Sequence, residues 1–173
     1  MMEVSSPAEQ HVEVHHFHAG VVTLVVIVTL ALEAFLPVRF PRAAVIELPL
    51  LVTIYFALSR RNPVSGMLLG MIIGLAQDSL SHTPIGLYGI SKTVVGYVAS
   101  SVGARIDTEH PFSRFALTFV FFHIHNIIFV MARRVLLAQQ QAYWSRTLLI
   151  VSLLNAAVAM ILFSLLDRLR KSA

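Results

Sequence analysis

The feature that most constrains this chain is a series of long apolar runs, each followed by a short polar or proline-containing turn. A transmembrane helix takes about 20 residues, so six helices would use about 120 of the 173 residues and leave about 50 for the tails and turns. The runs are 19–36, 43–58, 64–80, 85–102, 112–137 and 147–166. This pattern predicts an all-α, polytopic membrane protein with six transmembrane helices in one domain, 19–167, and it leaves no room for a soluble catalytic domain.

The composition agrees with a chain embedded in lipid. It is 57% hydrophobic and 13% charged, whereas soluble domains are about 45–50% apolar and about 25% charged. Disordered chains and solvated globules are therefore excluded. The chain has no Cys, which also excludes disulfides, thiolate metal sites and thiol nucleophiles.

The charges lie at the ends of the apolar runs. Residues 1–18 form a polar N-terminal tail without Lys or Arg, and 168–173 form a basic C-terminal tail. The net charge of +4 is spread singly or in pairs, which is typical of membrane-flanking residues and not of nucleic-acid binding. With six helices, seven Lys and Arg lie on the side of the tails and five on the other. This bias favours both termini in the cytoplasm, and Tyr143 and Trp144 fit an interfacial aromatic belt.

Small residues are concentrated in the third and fourth runs, since seven of the eight glycines lie between positions 66 and 103. Gly66, Gly70 and Gly74 are four apart and share one helix face, while Gly89 and Gly96 belong to a small face of the next helix. Small faces let two backbones approach closely in lipid. We therefore expect these two helices to pack tightly on each other.

Two charged residues accompany these faces. Asp78 extends the first face by one turn, and Lys92 lies on the edge of the second. A lone charge inside a membrane costs about 2.5–3.5 kcal/mol, so each needs a partner or water. Three interpretations are open: a structural Asp78–Lys92 pair, a turn capped by Asp78 with Lys92 extending outward, or a ligand or ion site. We take the pair as the prediction to be tested.

Other polar residues have local explanations. Glu33 and Glu47 flank a turn that holds Arg39 and Arg42, which predicts ion pairs near the interface. The N-terminal tail, with His11, His15 and His18, is expected to be solvated.

The stretch HIHN lies in the fifth run. His123 and Asn126 share a helix face, whereas His125 points elsewhere, so hydrogen bonds between helices are expected in place of a metal site. No HExxH, paired-aspartate, Ser–His or phosphate-binding pattern occurs. We expect no enzyme activity and no cofactor.

A family resemblance rests on 48–106. Its pattern is an apolar helix ending near a Tyr and Ala-Leu, a turn with Pro, a GxxxG helix running into Gly-Leu-x-x-Asp, and Pro-x-Gly opening the next helix. The matching positions are Tyr55, Ala57, Leu58, Pro63, Gly70, Gly74, Leu75, Asp78, Pro84 and Gly86. In these features, which cover about a third of the chain, the sequence resembles the rod shape-determining protein MreD family.

The resemblance implies a multi-pass subunit of the bacterial inner membrane that belongs to the cell-elongation machinery. Partners implied by it are the bitopic protein MreC, the actin-like MreB, the glycan polymerase RodA and a class B penicillin-binding protein, which together direct lateral peptidoglycan synthesis. The family has no catalytic residue to carry over. A homodimer is left open.

An alternative of another class is also implied. MreD-like proteins resemble in fold the six-helix substrate-binding subunits of energy-coupling-factor vitamin transporters. In the favoured topology Glu33, Glu47, Asp78 and Lys92 all lie toward the outer side, where such a pocket would open. A vitamin pocket usually needs several aromatic residues beside its polar groups, but most Phe of this chain lie in or near the fifth run.

Overall fold

The computed structural model describes residues 18–106, 108, 110–139 and 143–169. These residues form six α-helices and no strand. The helices are α1 (Ala19–Arg39), α2 (Leu48–Arg60), α3 (Pro63–Leu80), α4 (Leu87–Gly103), α5 (Pro111–Leu137) and α6 (Arg146–Asp167), and a 3-10 helix (Pro41–Val45) joins α1 to α2. Both predicted tails lie largely outside the described residues, including His11 and His15.

Five helical segments of the described chain are long and apolar enough to cross a membrane. They are Ala19–Arg39, Pro41–Arg60, Pro63–Leu80, Pro111–Leu137 and Arg146–Asp167. The remaining helix, α4, has 17 residues, which is near the lower limit of about 17–25 for a spanning helix.

Prolines mark the beginnings of helices. Pro49, Pro63 and Pro111 occupy the first or second position of α2, α3 and α5, where a missing N–H costs no intrahelical bond. Asn62 caps α3, because its side-chain oxygen accepts from the backbone N–H groups of Val64 (3.0 Å) and Ser65 (3.1 Å). The apolar run 43–58 would place Pro49 inside a helix as a kink, but Pro49 lies in the first turn of α2 and does not kink it.

The core of the bundle is α2. Every residue from 49 to 58 is buried, and α2 contacts each of the other five helices. The outer helices each expose a large apolar face, as at Leu24 on α1 and Ile161 on α6. This difference in burial follows from the sequence of each helix. A helix that is apolar on all sides is surrounded by the others, and the outer helices present one apolar face to lipid.

The glycine faces of α3 and α4 lie against each other. A β-carbon placed on Gly70 would be 2.7 Å from the carbonyl carbon of Lys92, and one on Gly96 would be 2.8 Å from that of Gly66. Side-chain carbons do not approach backbone atoms so closely, so the helices meet at their backbones. Gly103, at the end of α4, contacts α2 instead, where a β-carbon would lie 2.9 Å from Cα of Leu58.

Candidate functional site

A group of polar side chains lies inside the bundle, near the end that carries the α1–α2 and α3–α4 connections. We call Glu33, Glu47, Gln77, Asp78 and Lys92 the polar cluster. Gln77, Asp78 and Lys92 are buried, and Glu33 and Glu47 are half-buried. The members come from α1, the start of α2, the last turns of α3 and the second turn of α4, so the cluster forms only when these four helices are assembled.

Asp78 holds the turn between α3 and α4. Its carboxylate accepts from the backbone N–H groups of Gly86 (2.8 Å), Tyr88 (3.0 Å) and Gly89 (3.1 Å), and from the hydroxyl of Thr83 (3.0 Å). The unpaired N–H groups at a helix N-terminus favour an anion, and Asp78 supplies one to α4. This geometry is the capping alternative that the sequence left open.

Lys92 pairs with Glu47, and the predicted pair with Asp78 is not formed. The ammonium nitrogen is 3.4 Å from Oε2 of Glu47 and 4.5 Å from the ring centroid of Tyr88. The physical reason is competition: both oxygens of Asp78 are already bonded by the first amides of α4. Lys92 is buried, so it does not extend outward either, and a buried ammonium needs the charged partner that α2 provides.

Glu47 is fixed from two sides. Its backbone N–H donates to the side-chain oxygen of Asn155 on α6 (2.9 Å), and the Asn155 amide donates to the Val45 carbonyl (2.8 Å). The side-chain amide of Gln77 approaches Oε2 of Glu47 at 3.5 Å. The start of α2 is thereby tied to α3, α4 and α6 together.

The two glutamates do not pair with the neighbouring arginines. No ion pair joins Glu33 or Glu47 to Arg39 or Arg42 in the described part of the chain. Glu33 is half-buried in α1, on the side of the bundle where its carboxylate is within electrostatic range of Glu47 and Lys92. Both glutamates therefore belong to the bundle interior, contrary to the expectation of local pairing at the interface.

The HIHN stretch makes mainly aromatic contacts. Among the described residues, neither Nε2 of His123 nor Nε2 of His125 has a hydrogen-bond partner, so the hydrogen bonds between helices that were expected of these histidines are not formed there. The ring of His123 stacks on Trp144 with centroids 5.3 Å apart, and buried His125 lies 5.9 Å from Tyr88. The Asn126 side-chain amide donates to the Tyr143 carbonyl at 3.4 Å, which holds the loop before α6 against α5. Among the described residues, no group of three or more His, Cys, Asp or Glu side chains could hold a metal ion.

A second polar group lies at the opposite end of the bundle, and the sequence reasoning missed it. Arg114 in the first turn of α5 forms an ion pair of 2.5 Å with Asp167 at the end of α6. Asp167 also accepts from the hydroxyl of Tyr55 on α2 (2.9 Å), and Arg114 donates to the Thr108 carbonyl (2.8 Å). The sequence does place Arg114 and Asp167 at the edges of apolar runs, but nothing in it shows that these two residues contact each other.

The buried polar side chains of both groups are engaged in contacts between helices. Asp78 has four donors, Lys92 has Glu47, and Asp167 has Arg114 and Tyr55. Such networks fix the relative positions of helices in lipid, where the hydrophobic effect does not drive helix association.

Comparison with known proteins gives one family. The model of a family described as rod shape-determining protein MreD matches residues 16–172. No curated protein and no solved structure matches the chain, so the resemblance to energy-coupling-factor subunits gains no support.

Proposed function

Because the chain belongs to the rod shape-determining protein MreD family, we propose that it is a non-catalytic inner-membrane subunit of the bacterial cell-elongation complex. In this role it scaffolds lateral peptidoglycan synthesis together with an MreC-like bitopic protein. The observation that carries the proposal is the extent of the match, 16–172, which includes all six helices. MreB, RodA and a class B penicillin-binding protein are the further proposed partners, and a second copy of the chain is another.

The use of the buried polar residues supports a structural role. Asp78 is bonded to backbone amides and Lys92 to Glu47. A buried group that is already bonded is poorly placed to act on a substrate. The fixed bundle presents long apolar helices, α1, α5 and α6, to its surroundings. These faces can contact lipid or the single transmembrane helix of a bitopic partner.

The proposed topology has six spans with both termini in the cytoplasm. At 1.5 Å per residue, the 17 residues of α4 reach about 26 Å, against a hydrocarbon core of about 30 Å. A mismatch of a few Å is accommodated by local thinning of the bilayer at modest cost. Single Cys substitutions test the topology in a chain without native Cys: Thr83→Cys should react with a periplasmic reagent, and Ser172→Cys should not.

The decisive experiment combines isolation with complementation. A tagged chain is isolated from native membranes and its companions are identified by mass spectrometry. We expect an MreC-like bitopic protein and other elongation components, and restoration of rod shape in cells depleted of the native protein. Isolation of the chain without any elongation component, from cells whose shape it does not restore, would contradict the proposal. Gly74→Leu is the matched negative control, because it should disrupt the α3–α4 contact.

A further inference from the structure

A cavity of about 290 Å³ lies beside the polar cluster, between the start of α2, α5 and α6. Its described lining includes Glu47, Phe122, Asn126, Tyr143, Ser145 and Val151, and Glu47 is the only member of that lining with a formal charge. Sites for small molecules begin at about 300 Å³. The cavity therefore suits a small ligand or a single side chain.

Only one of the two oxygens of the Glu47 carboxylate accepts hydrogen bonds from the described residues. Oε2 receives both Lys92 (3.4 Å) and Gln77 (3.5 Å), whereas Oε1 accepts no hydrogen bond from any described residue. The side chain keeps 19% of its surface exposed, and it lines the cavity. Among the described residues, one oxygen of this carboxylate thus has no donor.

Glu47 sets the electrostatic character of the cavity. It is the only residue of the described lining with a formal charge, and its cationic contact, Lys92, lies at Oε2. A carboxylate oxygen that lacks a donor away from bulk water is unfavourable. The cavity therefore favours an occupant with a positively charged hydrogen-bond donor.

The other walls fit a cation on a short apolar stem. Asn126 donates through Nδ2 to the loop, and its Oδ1 accepts no hydrogen bond among the described residues. The ring of Phe122 provides aromatic surface, which attracts cations, and Val151 provides aliphatic surface. The ring of Tyr143 already carries the guanidinium of Arg134, which lies 4.7 Å from its centroid.

We propose that this cavity binds the ammonium or guanidinium head of a short organic cation, with the carboxylate of Glu47 as the counter-ion. The cation is either a free amine or a basic side chain that a partner protein inserts. In both cases the head group lies against Glu47 and Asn126, and the stem lies along Val151.

The test measures direct binding to the full chain in nanodiscs of zwitterionic phosphatidylcholine, which avoids cations collecting on anionic lipid. The probes are n-butylammonium, its neutral counterpart n-butanol, and the tripeptide acetyl-Gly-Lys-Gly-amide. Calorimetry gives the affinity, and the fluorescence of the single Trp, which follows Tyr143 of the lining, reports occupancy. We expect saturable binding of a cationic probe, at least tenfold tighter than of n-butanol.

The source of the cation follows from which probe binds. Binding of n-butylammonium assigns a free amine, and binding of the tripeptide alone assigns a partner's side chain. Failure of both cationic probes, or equal binding of n-butanol, overturns the proposal. Because binding is measured on the isolated protein, such a failure leaves the proposed scaffolding role untouched.

Variants locate the site. Val151→Phe fills the cavity and leaves the Glu47–Lys92 pair in place, so it should weaken cation binding at least tenfold. Ile161→Phe on the exposed face of the same helix is the matched control and should bind as the wild type does. Since Val151→Phe could disturb folding, Asn126→Leu provides a second loss of affinity, and thermal unfolding verifies each protein. Unchanged binding in both cavity variants would refute the site.

Discussion

Replacing Gly70 with Ala should destabilise the bundle, because the added methyl group has no space. A β-carbon at this position would lie 2.7 Å from the carbonyl carbon of Lys92, whereas carbon atoms are in contact at about 3.5–4.0 Å. The helices α3 and α4 must therefore separate locally by about 1 Å. The obstacle is backbone, so no side-chain rotation can relieve it.

The magnitude follows from the cost of overpacking. Inserting a methyl group into a close-packed contact costs about 1–3 kcal/mol, and a loss of about 2 kcal/mol lowers the folded-to-unfolded ratio about 30-fold. The displaced backbone also carries Lys92, so the ion pair with Glu47, now 3.4 Å long, should weaken with it. Ala is otherwise a better helix former than Gly, so any loss reports the contact and not helix propensity.

The assay compares two proteins with the same chemical change. Gly20 lies in α1, and a β-carbon placed on it would have no neighbour within 4 Å, so Gly20→Ala is the matched control. Both variants are purified as full chains in detergent, and thermal unfolding and membrane abundance are measured. We expect a lower Tm and lower abundance for Gly70→Ala alone. Equal melting of the two variants would refute the backbone contact between α3 and α4.

Three further tests concern the polar contacts. Lys92→Met should leave the Glu47 carboxylate without its cationic partner and lower membrane abundance. Adding Glu47→Gln should recover part of that loss. Additive losses in this double-mutant cycle would show that the two residues do not interact. Asp78→Asn should destabilise the α3–α4 turn by about 1–3 kcal/mol, since an amide has one acceptor oxygen in place of two, and an unchanged Tm would contradict its capping role. Tyr55→Phe should lower the free energy of unfolding by about 1 kcal/mol, because its hydrogen bond to Asp167 is lost. Asp167→Asn also weakens the ion pair with Arg114, so its loss should be larger. Equal losses would count against this network.

The sequence alone determined which segments become helices. Apolar runs of sufficient length, and prolines between them, depend on neighbours along the chain, so α1, α3, α5 and α6 lie within a few residues of their predicted limits. The small faces of α3 and α4 were readable for the same reason, because Gly66, Gly70 and Gly74 recur at the period of a single helix. The first residue of α2 could not be predicted from the sequence, since a proline such as Pro49 occurs both at the beginning of a helix and at a kink within one.

The tertiary structure decided which charges meet. Lys92 and Glu47 are 45 positions apart, and Arg114 and Asp167 are 53 apart. Periodicity gives the face of one helix on which a charge lies, but the partner depends on how several helices are rotated and placed together. Asp78 was the nearest candidate along the chain, yet the amides of α4 occupy its oxygens. Lys92 therefore pairs with Glu47, the residue that precedes α2.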